Sequence, residues 1–174
     1  MNQSVVTMLA GELAELIKQL INIQIALRAV VQAKLDAMRR SDTDAMLKAA
    51  RREGNMAAEV SALDEKRGDI VSRLCAALGM PAVHNERTVP LRALTEVLDP
   101  ESARPLANLA NRLREEMLKL AEANRVVELV SREMLAHFKT LFSAMVQDED
   151  EAPTYSAAGQ VGPVVGARVL DAIG

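Results

Sequence analysis

Apolar positions near the start of the chain recur in alternating steps of three and four: Val6, Leu9, Leu13, Leu16, Leu20, Ile23, Leu27 and Val30. This is a heptad stripe over more than three repeats, and it predicts a helix from Asn2 to about Arg40. Ile17, Ile21, Ile25, Val31 and Leu35 widen the stripe beyond a two-stranded seam. A face that wide suits a bundle of three or four helices. At the rise of an α-helix, the segment is about 55 Å long.

Arg40-Ser41-Asp42-Thr43 is the first break, with Ser41 or Asp42 placed to cap the next helix. That helix is predicted to run to Leu78. Its second half carries the stripe Val60, Leu63, Ile70, Leu74, Leu78, and its first half gathers Arg51, Arg52, Glu53, Gly54 and Asn55. Gly54 and Gly68 weaken a helix interior, so a bent or mobile middle is expected. Gly79 followed by Pro81 is a stop signal. Pro81 to Pro90 reads as a loop, and Leu91 to Leu98 as a short helix with Pro90 in its first turn. Asp99-Pro100-Glu101 restarts the chain, with Asp99 as N-cap, Pro100 at N1 and Glu101 near the positive end; Pro105 predicts an irregular first turn before a long helix from Leu106 to about Gln147. The stripe of this last helix includes Leu109, Leu113, Met117, Leu120, Val127, Val130, Met134, Leu141 and Met145.

At Gln147 the composition changes. Four acids, Asp148 to Glu151, precede Pro153, Gly159, Gly162, Pro163 and Gly166, which is the pattern of a mobile tail. Val164, Val165, Val169, Leu170 and Ile173 restore some apolar character at the end. The expected architecture is all-α: an elongated antiparallel bundle of three long helices plus a short one over 1–147, and a flexible partner-binding tail over 148–174.

Composition narrows the function classes. A chain of 174 residues buries roughly two-thirds of its unfolded surface and folds without metal or disulfide. Phe138, Phe142 and Tyr155 are its only aromatic residues. That is too few for a base-stacking platform or the usual lining of a small-molecule pocket. A net charge of −3 with interspersed signs argues against nucleic acid. Cys75 stands alone, as in a reducing compartment. No signal peptide and no membrane span are expected, because charged residues interrupt every apolar run.

Candidate chemistry is sparse. His84 and His137 match no metal-ligand spacing, no nucleophile–base set is suggested, and no glycine-rich phosphate loop precedes a helix. No cofactor and no metal are expected. Glu115-Glu116 reads as a solvated helix face rather than a catalytic pair. Asn124 falls on the apolar stripe, either as a register or partner residue or as a boundary position. In the tail, Tyr155 is either incidental or an anchor for a partner groove.

Several segments together resemble the FlgN-type flagellar export chaperones. They are Leu63-Asp64-Glu65-Lys66-Arg67, Leu78-Gly79, Thr88-Val89-Pro90-Leu91-Arg92-Ala93-Leu94, Asn124-Arg125-Val126-Val127-Glu128-Leu129-Val130, and Thr154-Tyr155-Ser156-Ala157-Ala158-Gly159. Val127 stands where the family commonly has a second Asn, and Ser156 where it has Gly. The resemblance implies a non-enzymatic cytoplasmic chaperone. Its partners would be the hook–filament junction proteins of FlgK and FlgL type, held by their helical C-terminal segments and delivered to the type III export gate. The candidate partner-binding residues are Asn124, Val127, Met134, Leu141, Met145, Tyr155, Val169, Leu170 and Ile173. The rival reading is a coiled-coil structural or signalling adaptor with no export role. A carboxylate-bridged metal enzyme is disfavoured, since no paired Glu-x-x-His motif is present. The wide face of the first helix also predicts that it, or the last helix, self-associates into a homo-oligomer at high concentration.

Overall fold

The computed structural model describes residues 3–80 and 89–150, with side chains up to residue 146. Four helices follow one another: α1 (Gln3–Arg39), α2 (Thr43–Leu78), α3 (Leu91–Val97) and α4 (Pro100–Asp150). Among the described residues 93% are helical and none is in a strand. The chain divides into two compact units, Met1–Val127 and Glu128–Gly174. The division falls inside α4, whereas the change in composition falls at Gln147.

In the first unit, α1 is the central element. All eight residues of its heptad stripe are buried, and so are Ile17, Ile21, Val31 and Leu35. Leu13 is wholly inaccessible and Leu9, Ile17 and Val31 nearly so. Burial of this many aliphatic side chains on one helix needs neighbours on several sides. α2 supplies Leu63, Val71, Leu74, Cys75 and Leu78. Leu94 and Leu98, on and just after α3, and Leu106 on α4 close one end of the core beside Leu9, Leu13 and Leu74. A second cluster joins Leu16, Leu20, Ile23 and Leu27 to Leu63, with Leu113 and Leu120 of α4 packed against it.

Ion pairs fix the register. Arg73 on α2 lies 3.5 Å from Glu12 on α1, and Lys34 on α1 pairs with Glu53 on α2. Early residues of α1 thus meet late residues of α2, so the two are antiparallel, as a short connection demands. The first unit's part of α4 runs parallel to α1: Leu106 joins the cluster around Leu9 and Leu13, while Leu120 joins that around Leu20 to Leu27.

The helix boundaries have local causes. Asp42 is the N-cap of α2, its carboxylate accepting from the Ala45 N–H at 2.9 Å. Ser41 before it takes a left-handed backbone, φ 54°. α2 is one continuous helix through Gly54. It ends at Gly79, φ 68°, where the Gly79 N–H donates to Ala76 O and the Met80 N–H to Cys75 O at 3.0 Å. Pro90 is the N-cap of α3 rather than part of its first turn.

Two expected boundaries are corrected. α4 starts at Pro100, not Leu106, and passes through Pro105 without an irregular turn. Asp99 explains the early start. Its Oδ1 accepts from the N–H groups of Glu101 and Ser102, both at 3.0 Å, which satisfies two of the orphan donors of the first turn. Pro105, the sixth residue of α4, has no N–H to donate to the Glu101 carbonyl, so the helix forgoes one hydrogen bond there. At the other end α4 continues through Asp150, so three of the four consecutive acids are helical.

Two left-handed positions give a test with opposite signs. Gly79→Ala should lower the unfolding free energy by about 1 kcal/mol, because Cβ disfavours that backbone even though no neighbour lies within 4 Å. Ser41→Gly should raise it by about 0.5 kcal/mol, the relief of strain being partly offset by a freer unfolded chain. Urea unfolding followed by far-UV circular dichroism measures both.

Candidate functional site

The second unit differs from the first in what it exposes. Its described part is the helical run from Glu128 onward. Here Leu135, Phe138, Phe142 and Met145 are 59%, 62%, 64% and 70% exposed. Leu141 and Val146 are exposed as well, and Val130 and Met134 are half-buried. At about 100° per residue, these eight side chains fall within an arc of about 160°. The opposite side holds Arg132, Glu133, Lys139, Thr140 and Ser143, with Leu129 as its one large apolar residue. The polar side supports the helix locally. Arg132 pairs with Glu128 one turn earlier, and the Thr140 hydroxyl donates to the Ala136 carbonyl at 3.0 Å. The result is an amphipathic helix whose apolar face is open.

Both phenylalanines of the chain lie on this face, four residues apart. Among the described residues the buried core of the first unit contains no aromatic side chain. Rings would add packing area in a core, yet they stand where they gain none. That is the distribution expected of side chains that bury against another molecule.

The sequence-predicted residues fall in three places. Met134, Leu141 and Met145 lie on the open face. Asn124 and Val127 belong to the first unit: Asn124 is exposed and so does not sit on a core seam, while Val127 is 8% exposed. Tyr155, Val169, Leu170 and Ile173 lie outside the described residues, as does His84. His137 is exposed. Leu135, Phe138, Phe142 and Val146 share the open face but fall outside the single three–four stripe of this helix. Projecting every apolar residue of 128–146 onto a helical wheel would have found them.

Glu116, read from sequence as part of a solvated face, is instead 8% exposed. The cause is its position on the side of α4 turned towards α1. Its Oε1 accepts from Lys119 Nζ at 2.7 Å, and its Oε2 lies 3.5 Å from Arg28 on α1. Oε2 is buried and lacks a well-aligned hydrogen bond, so Arg28 acts there through charge. The Lys119 hydrogen bond holds this carboxyl below its ordinary value against the opposing effect of burial, and the charges of Lys119, Arg28 and Arg112 add to it. Asp99 is lowered too, chiefly by the Ser102 backbone N–H, then by the Ser102 side chain. These are structural carboxylates: one ties α4 to α1 and the other caps α4. No group of three or more His, Cys, Asp or Glu side chains forms a metal-binding cluster among the described residues. No described helix is long and apolar enough to cross a membrane.

An all-α bundle with one amphipathic helix left uncovered has the architecture of a module that binds partner helices. Sequence comparison gives the particular family. The profile of the FlgN protein family matches residues 8–163, and the chain belongs to that family. FlgN proteins are flagellar export chaperones, which bind flagellar export substrates, and the family is not one of enzymes. Neither the comparison with curated proteins nor that with solved structures gives a match.

The two carboxylates set an acid limit. Their folded values lie below the ordinary 4.5 and 3.8. The stability they contribute is therefore fully present above those values and is lost as pH falls through the lowered ones. The melting temperature of the parent should begin to fall below about pH 4.5. Glu116→Gln should start lower at neutral pH and fall less steeply, as read by thermal melts from pH 7 to pH 2.5.

Proposed function

We propose that the chain is the cytoplasmic chaperone of the hook–filament junction proteins of FlgK and FlgL type. In this reading it binds their helical C-terminal segments, keeps them unpolymerised and delivers them to the type III export gate. The observation that carries the reading is the open face of Val130 to Val146, with both phenylalanines on it. A client whose terminal segment is an amphipathic helix has an apolar stripe of its own. Laying one stripe on the other is a helix-in-groove contact, with Phe138 and Phe142 as central anchors and Met134, Leu141 and Met145 as adaptable neighbours. Covering the client's stripe removes the surface by which it would polymerise. Both partners bury apolar area, yet hand-over requires dissociation, and a single helix face provides a contact of limited size.

The tail belongs to the same reading. Tyr155 is its one large ring, and Val169, Leu170 and Ile173 repeat at spacings that place them on one side of a helix. We assign Tyr155 and this apolar end to docking, on the client or on the export gate. Ordering a segment on binding lowers net affinity and so favours release.

Two measurements test these assignments. Phe138→Ser with Phe142→Ser should weaken binding of a purified junction protein by tenfold or more, because buried interface rings are each worth about 2 kcal/mol. The melting temperature should stay within about 2 °C, since both rings are exposed. Binding equal to the parent would remove the helix face from the mechanism. Truncation after Gln147, and Tyr155→Ala in the full chain, should leave the far-UV helical signal and the melting temperature intact while client binding or export falls. If both support motility like the parent, the tail is a passive linker.

A further inference from the structure

The open face of the second unit repeats itself in reverse. Counted from Thr140 towards the N-terminus, large apolar residues stand at the second, fifth and sixth positions: Phe138, Leu135 and Met134. Counted towards the C-terminus, they stand at the same steps: Phe142, Met145 and Val146. All of them except Met134 are exposed. A helix turned end over end at the level of Thr140 therefore lays this face on itself. Leu135 of one copy meets Met145 of the other, and Phe138 meets Phe142, each pair twice. Leu141 alone has no apolar counterpart, since it maps onto Lys139. Such self-complementarity is what an isologous two-fold contact requires.

The area is sufficient. Leu135, Phe138, Leu141, Phe142, Met145 and Val146 have exposed fractions of 42–70%, which leaves roughly 700 Å² open on each copy. Two copies together would remove about 1,400 Å² from water, within the range of about 1,200–2,000 Å² of specific protein contacts. Charge selects the orientation. Parallel pairing would set the two acidic runs, Asp148 to Glu151, at the same end, whereas antiparallel pairing keeps them at opposite ends. Charge also limits the strength. Lys139 lies at one edge of the face, beside Phe138, and in an antiparallel pair that edge meets its own copy. The two Lys139 ammonium groups then approach each other beside the axis.

We propose that two copies of this chain pair antiparallel through the face from Met134 to Val146, Phe138 of each against Phe142 of the other, and that a client displaces this pairing. The free protein then covers its own apolar face, at an affinity low enough to yield it. The pairing depends only on the face. Its displacement rests on the export-chaperone reading, and deepens that reading by making client binding compete with self-association.

The experiment uses the full chain, with sedimentation velocity over a micromolar to submillimolar series. The parent should show a reversible monomer–dimer equilibrium. Phe138→Ser with Phe142→Ser should weaken it tenfold or more with the melting temperature unchanged. Lys139→Glu mixed with the parent should dimerise several-fold more tightly than either protein alone, because one like-charge contact becomes an opposite-charge one. Orientation is read by cross-linking with diamide. Leu135→Cys and Met145→Cys should form a disulfide-linked dimer when mixed and neither should do so alone, since only antiparallel pairing brings these two positions together. A purified junction protein added at equal concentration should convert dimer into complexes with one chaperone each. Parent that stays monomeric throughout the series, or dimer that survives in the double Phe variant, overturns the pairing and leaves the chaperone reading standing if the client still binds. Cross-linking within each single variant but not in the mixture overturns the antiparallel geometry. A client complex that retains the chaperone dimer overturns the competition. If the dimer forms as described and no junction protein binds, the pairing stands and the chaperone reading fails.

Discussion

The first unit depends on the apolar arc of α1. The stripe from Val6 to Val30, widened by Ile17, Ile21 and Val31, leaves α1 with more apolar surface than one helix can cover. α2 covers one side, α3 and the start of α4 cover an end, and the next turns of α4 cover another side. Each of these elements has fewer buried positions than α1, so their folding depends on α1 more than α1 depends on any one of them. The first half of α2 shows this. From Lys48 to Glu59 it buries nothing fully, although Glu53 pairs with Lys34 and Met56 reaches the α1 cluster.

Polar groups then decide how the covering helices sit. Glu12–Arg73 and Lys34–Glu53 link α1 to α2 at two separated points, so a slip of register would break both. Arg28–Glu116 does the same for α4. Exposed pairs contribute little to stability, but Glu116 is largely out of water. Removing its partner would leave a charge where hydration is poor, and this penalises alternative placements of α4 more than it stabilises the native one. The same logic makes Gln24 unusual: it sits in a comparable place with no such partner from within the unit.

Much of the fold was legible in the sequence because periodicity is a local property. The α1 stripe, the Asp42 and Asp99 caps and the Gly79 stop all follow from residues within a turn of one another. The misreadings concern balances between neighbours. Pro105 alone predicts a broken turn, but the Asp99 cap satisfies two of the amides around it and the regular helix survives. Glu116 next to Glu115 looks solvated until Arg28 and Lys119 are placed beside it. The open face was half legible: Met134, Leu141 and Met145 lie on a stripe that continues the buried one, and nothing in the local sequence says where covering stops.

Where covering stops is what separates a structural bundle from a chaperone. A coiled-coil adaptor with the same α1 would gain stability by burying Phe138 and Phe142. This chain builds its core from aliphatic side chains and leaves its only two Phe rings exposed to water. Exposed apolar surface carries a cost in solubility and invites aggregation. The flanks of the face, Arg132, Glu133 and Lys139, counter that cost without covering the face. A protein that must hold an aggregation-prone helix and then release it needs this balance, because a fully covered face cannot bind a client and an unflanked one would not remain dispersed. The arrangement follows from one division of labour within a single helix. The turns of α4 up to Val127 carry the contacts that hold the first unit together, and the turns from Glu128 to Val146 leave their apolar face exposed.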